Sequence, residues 1–190
     1  MKKSLLLLAL ISTAISSCGE KSTSTESQEE ANTTHEISPS SSLEVVQNTS
    51  TSPIIDSYLE IKDALVADDA ATASATSEKM VSALEDFDTA SMTGNGQNLE
   101  EVKAEAIELT KKLQSEDIVI QRENFQALSV VLMDFIKIAG ADRTLYHQYC
   151  PMYKNNTGGM WLSSNQEIMN PLFGSSMLNC GSIEETITVN

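Results

Sequence analysis

Basic residues are scarce in this chain. Among 190 residues there are 12 Lys and Arg against 27 Asp and Glu, for a formal net charge of −15. So few cations cannot form the stripe that phosphate neutralisation requires, and nucleic acid is excluded as a partner. Histidine occurs twice and cysteine three times. No Ser-His-acid set can be assembled when one of the two histidines, His35, lies in a Ser/Thr-rich spacer. No glycine-rich phosphate loop occurs, and no CxxC pair suggests a thiol oxidoreductase. The expectation is a protein that is not an enzyme. Long apolar runs are also lacking: the best, Leu5 to Ile11, is far short of the roughly 20 residues needed to cross a bilayer.

What is present is unevenly distributed. Residues 1–17 carry +2, residues 18–52 carry −5, residues 53–143 carry −10 and residues 144–190 only −2. The last segment nevertheless holds Cys150, Cys180 and most of the aromatic side chains. Met1-Lys2-Lys3, the apolar run after it and Ile15-Ser16-Ser17-Cys18 read as a bacterial lipoprotein signal peptide, with Cys18 as the lipidation site and mature N-terminus. This predicts a module outside the cytoplasm, in the cell envelope, held on a bacterial membrane by lipid alone, with the outer membrane favoured. Disulfides are permitted there.

Residues 18–52 contain fifteen Ser/Thr and few aliphatic side chains, which predicts a disordered acidic tether. A single domain is expected from residue 53 to residue 190. Ser52-Pro53 has the form of an N-cap followed by a first-turn proline, and Ile54, Tyr58, Ile61 and Leu65 follow at helical spacing. A second helix is expected from Ala70, with Ala73, Met80, Leu84 and Phe87 on one face. A third is expected from an Asn98/Glu101 capping box, with Leu99, Val102, Ala106, Leu109 and Leu113, and a fourth over 118–139, with Phe125, Leu128, Leu132 and Phe135. The predicted fold is mainly α with a small β part: a four-helix up-down bundle over 53–143, then a short β-hairpin and loop. Glu60, Glu78, Glu85, Glu100, Glu101 and Glu105 read as solvated helix faces, because no Glu-x-x-His pair accompanies them.

From Thr144 the period changes to two. Leu145, His147 and Tyr149 alternate with Tyr146, Gln148 and Cys150, and Asn155 to Gly159 supplies a turn before Met160-Trp161-Leu162. Ile183 to Val189 suits a third strand. Cys150-Pro151-Met152 and Met177-Leu178-Asn179-Cys180 are mirrored in their donors. If the intervening loop closes, two thiolates and two thioethers converge, a soft set that selects monovalent copper or silver, with His147 as a fifth candidate. Met160 and Met169 lie nearby. The alternative is a Cys150–Cys180 disulfide, which would stabilise a loop of about 30 residues by roughly 3–4 kcal/mol, with the methionines as packing. Taken alone, these residues suit the bridge better than the metal.

Tyr149-Cys150-Pro151-Met152, Met160 to Ser164, Glu167-Ile168, Asn170 to Gly174 and Met177 to Gly181 resemble the signature of the bacterial domain-of-unknown-function family 3347. Tyr58 to Leu65 and Asp69-Ala70-Ala71 resemble its helical half, so that the resemblance spans residues 53–188. Members are secreted or lipid-anchored, or are appended to periplasmic adaptors of copper/silver-type efflux systems. The resemblance implies heavy-metal handling, with Cys150, Met152, Met177 and Cys180 at the matching positions, a Cu(I) or Ag(I) ion as cargo, and an efflux adaptor or other copper-handling protein as partner. Its weight moves the expectation from the bridge to the metal site.

Overall fold

The computed structural model describes residues 41–90, 92 and 96–190. Over these the chain is mainly helical, with a small four-stranded sheet. Helix α1 (Ser52–Val66) opens with Pro53 in its first turn, where a missing N–H costs nothing. Ser52 is not the cap that its position suggests. It lies inside the helix and donates its hydroxyl to the Thr49 carbonyl at 2.8 Å. Helices α2 (Ala70–Asp86) and α4 (Ile118–Ala139) are capped by Asp69 and Asp117, whose carboxylates accept from Thr72 N–H and Val119 N–H. Helix α3 (Gly96–Lys112) starts two residues ahead of Asn98, which therefore sits inside it. Gly140 ends α4 at φ +85, where a side chain would run into the Val46 carbonyl.

The apolar spacing read from sequence supplies most of the core, although Val102 and Leu109 of the third stripe are only half-buried. Ile54, Tyr58, Ile61 and Leu65 from α1, Ala73, Met80 and Leu84 from α2, Leu99, Ala106 and Leu113 from the third helical stretch, and Phe125, Leu128, Leu132 and Phe135 from α4 are all buried. Phe87 meets Phe135 edge to face and Tyr58 stacks on Phe125. The six glutamates assigned to solvated faces are exposed.

Strands β2 (Leu145–Cys150) and β3 (Gly159–Ser163) form the expected hairpin, and β4 (Ser182–Val189) lies antiparallel to β2. The sheet also holds a strand that composition placed in the tether. Ser41–Val45 forms β1, parallel to β4, giving the order β1-β4-β2-β3. The tether expected over residues 18–52 therefore does not run to residue 52. Ser41-Ser42-Leu43-Glu44-Val45 is too polar to be recognised alone; pairing with β4 and burial of Val45 hold it. Asn48 then secures the crossing into α1, giving its side-chain amide to the Ala139 carbonyl at 2.7 Å and its backbone N–H to the Ala141 carbonyl at 2.8 Å.

One tyrosine joins three elements. Ser129 Oγ donates to the Phe125 carbonyl, so the 2.6 Å contact between Tyr58 Oη and Ser129 Oγ has the phenol as donor, and the same phenol oxygen accepts the Leu162 N–H at 3.0 Å. This fixes the outer edge of β3 against α1 and α4. Burial pushes the Tyr58 phenol far above its ordinary range, against the smaller opposing effects of Leu162 and Ser129.

Candidate functional site

Cys150 is the last residue of β2 and fully buried, and Cys180 is half-buried at the end of the loop that leads into β4. The two are joined in a disulfide, with their Cα atoms 5.6 Å apart. The ring so closed contains β3 and all but the last residue of the long loop 164–181, in which Glu167 is the one charged side chain.

Buried amides, rather than apolar packing alone, hold that loop. Gln148 lies opposite Trp161 in the hairpin and accepts the indole N–H at 2.7 Å. Its side-chain nitrogen faces the carbonyls of Asn165, Gln166 and Glu167 at 2.9, 3.4 and 3.2 Å. Asn170, also fully buried, donates to the Cys180 carbonyl at 2.8 Å and accepts from Leu172 N–H at 2.8 Å. Its backbone N–H reaches the Leu178 carbonyl at 2.7 Å. In a dry interior each such group must find a partner, so these amides prescribe one loop conformation.

A second set of contacts docks the loop on the helices. Arg122 of α4 donates to the Pro171 and Leu65 carbonyls, both at 3.0 Å, and pairs with Asp68. Asp68 in turn accepts from Ser175 N–H at 3.2 Å. Hydrogen bonding to Ser175 and then to Arg122 holds the Asp68 carboxyl below its usual range. Gly174 sits at φ +56 directly over this ion pair, where a Cβ would strike both partners.

The donors proposed from sequence are only partly brought together. Cys150 and Cys180 meet, but as a bridge, so neither sulfur is a thiolate. Met152 is 49% exposed. Met177 is half-buried beside Cys180, whose N–H donates to the Met177 carbonyl at 3.2 Å. His147 does not join them. The β2–β3 register runs without a break from Tyr146 to Cys150, so alternation places His147 and Cys150 on opposite faces of the sheet. Met160, opposite Tyr149, lies on the face of His147, and Met169 is half-buried in the loop. Burial lowers the His147 pKa, opposed by Glu185 and Glu184 and aided by Lys137, and its buried Nε2 has no hydrogen-bond partner. Among the described residues no group of three or more His, Cys, Asp or Glu is arranged to hold a metal ion. The bridged sulfurs do not fit a soft ion. Cys18 and His35 lie outside the described residues.

Sequence reasoning missed Gln148, Asn170, Arg122 and Asp68. A polar residue at an inward position of a strand, Gln148, was the one available signal, since burial of an amide demands partners. Arg122 and Asp68 become neighbours only through the tertiary fold. No curated protein and no solved structure matches the chain. Residues 54–144 match the model of a family described as a protein of unknown function (DUF3347), a span that runs from the first turn of α1 through α4 and ends at the residue that precedes β2. Over those helices, residues 54–144, the chain is similar to the DUF3347 family.

Proposed function

We propose that this protein is an envelope lipoprotein that acts by protein interaction rather than catalysis, presenting a disulfide-stapled loop from a helical support. The observation that carries the reading is the Cys150–Cys180 bridge, which removes both thiolates and closes the ring around loop 164–181. The docking of the same loop by Arg122 and Asp68 supports it. A pre-formed loop loses little entropy on binding, which suits it to recognition. Its rim is polar, with Ser164, Asn165, Gln166, Ser175 and Asn179 exposed beside a single charged side chain, Glu167, and suits a partner surface rich in hydrogen-bonding groups. Cys18 is the proposed lipid attachment, and the segment before β1 the tether that lets the module reach a neighbour. Consecutive helices pack on one another, with short connections between α1 and α2 and between α3 and α4, which supports an up-down bundle as the support.

A photo-crosslinking residue at Gln166 or Ser175 in the lipid-anchored protein in cells tests this. The expected result is one discrete protein adduct that is lost in the Cys150→Ser/Cys180→Ser variant. No adduct at either position, or an adduct indifferent to the cysteines, would contradict it.

A second reading keeps the metal. With Cα atoms 5.6 Å apart, reduction would leave two thiols within reach of one soft ion, flanked by Met152 and Met177. Cu(I) or Ag(I) would then be cargo passed to an efflux adaptor or another copper-handling protein. This reading predicts that reduced protein takes up about one equivalent of Cu(I) against a competing chelator, in keeping with a two-thiolate site. No uptake by reduced protein, or uptake unchanged in the double serine variant, would remove it.

A further inference from the structure

A cleft of about 630 Å³ lies between the β1–α1 crossing and the C-terminal ends of α2 and α4, and neither cysteine of the disulfide lines it. That volume lies within the range of small-molecule sites. Its apolar lining includes Val46, Ala83, Phe87 and Ile138, and Val46 is left 68% exposed. Apolar side chains lining a concave surface favour an occupant with an apolar body.

Charge selects among occupants. Asp86 and Asp88, the latter accepting the Ala90 N–H at 2.9 Å, line the cleft, and among the described residues no Lys, Arg or His does. The helix ends add to this sign, because the C-terminal carbonyls of α2 and α4 lie at the same place. Lys103 of α3 donates to the Phe87 carbonyl at 3.3 Å and pairs with Glu100. It is not among the lining residues. The chain's own residues 18–40, at −4, and a second copy, at −15, are both repelled from such a site.

We infer that this cleft binds a small organic cation, a protonated amine on an apolar body, with the body on Phe87 and Ile138 and the ammonium toward Asp86 and Asp88. The site shares no lining residue with loop 164–181.

The test uses the mature chain from residue 18 with Cys18→Ser, so that no lipid or detergent competes. Backbone amide NMR signals are followed during titration with 2-phenylethylamine, its neutral counterpart 2-phenylethanol and the carboxylate 3-phenylpropionate. The amine is expected to shift Val46, Ala83, Phe87 and Ile138 saturably. The alcohol should bind roughly 5-fold more weakly, in keeping with one or two exposed charge contacts, and the carboxylate should not saturate. Asp86→Asn/Asp88→Asn should bring the amine down to the alcohol's affinity, and Ala83→Phe, which fills the cleft, should abolish both. Equal binding of the three probes, shifts outside the cleft, or no saturable shift with the amine would overturn the inference; the comparison of probes on the unsubstituted cleft stands even if a variant fails to fold.

Discussion

Tyr58 shows how a single residue sets the position of an edge strand. Its phenol has one hydrogen, given to Ser129, and one lone pair used by Leu162 N–H. Tyr58→Phe keeps the stack on Phe125 but strands a buried N–H, and is expected to cost about 1–3 kcal/mol in urea unfolding. Tyr58→Phe with unchanged stability would show that the N–H finds another partner. His147 makes a prediction about pH. Burial depresses its folded pKa, so the native state favours the neutral ring, and stability is complete above the unfolded value of about 6.5. As pH falls below that value the unfolded chain takes up the proton first, and stability falls until the folded pKa is reached. Glu185 and Glu184 oppose the effect and Lys137 adds to it. The urea midpoint should therefore drop between pH 7.5 and 5.5, and His147→Gln should flatten that part of the profile.

At the scale of elements, the helices were legible because each buries a stripe that repeats at helical spacing, and α1, α2 and α4 fall within a residue of expectation. The hairpin was legible for the same reason at period two. Strand β1 was not, since its five residues are mostly Ser and Glu and its reason for being extended lies on β4, more than a hundred residues away. The candidate site was half legible. Cys150 and Cys180 were correctly paired as neighbours, while His147 was grouped with Cys150 by nearness in sequence although an odd spacing along a strand puts the two on opposite faces. Loop 164–181 has no periodicity, and its order comes from buried amides and from the ring closed behind it. Cys150→Ser/Cys180→Ser is accordingly expected to lower unfolding stability by about 3–4 kcal/mol, the chain-entropy value for a closed loop of this length. Gly174→Ala, which forces Asp68 and Arg122 apart, should loosen the loop without touching the bridge, seen as faster amide exchange at Leu172 and Gly174 with unchanged thiol content.

For the whole molecule, the net charge of −15 belongs to helix faces and spacer, while the stapled loop carries almost none of it. Under the proposed function, the charged helix faces keep the support in water and the polar, amide-stitched surface of the loop is the part that a partner would read. That division depends on the bridge, because free thiols would turn the same two residues into soft-metal donors and leave the loop unstapled. The most direct measurement is the alkylation state of Cys150 and Cys180 in protein taken straight from cells into denaturant and iodoacetamide without reductant, read by peptide mass. The account predicts a Cys150–Cys180 crosslinked peptide pair with neither cysteine alkylated. Carbamidomethyl groups on both cysteines in most of the protein would contradict it.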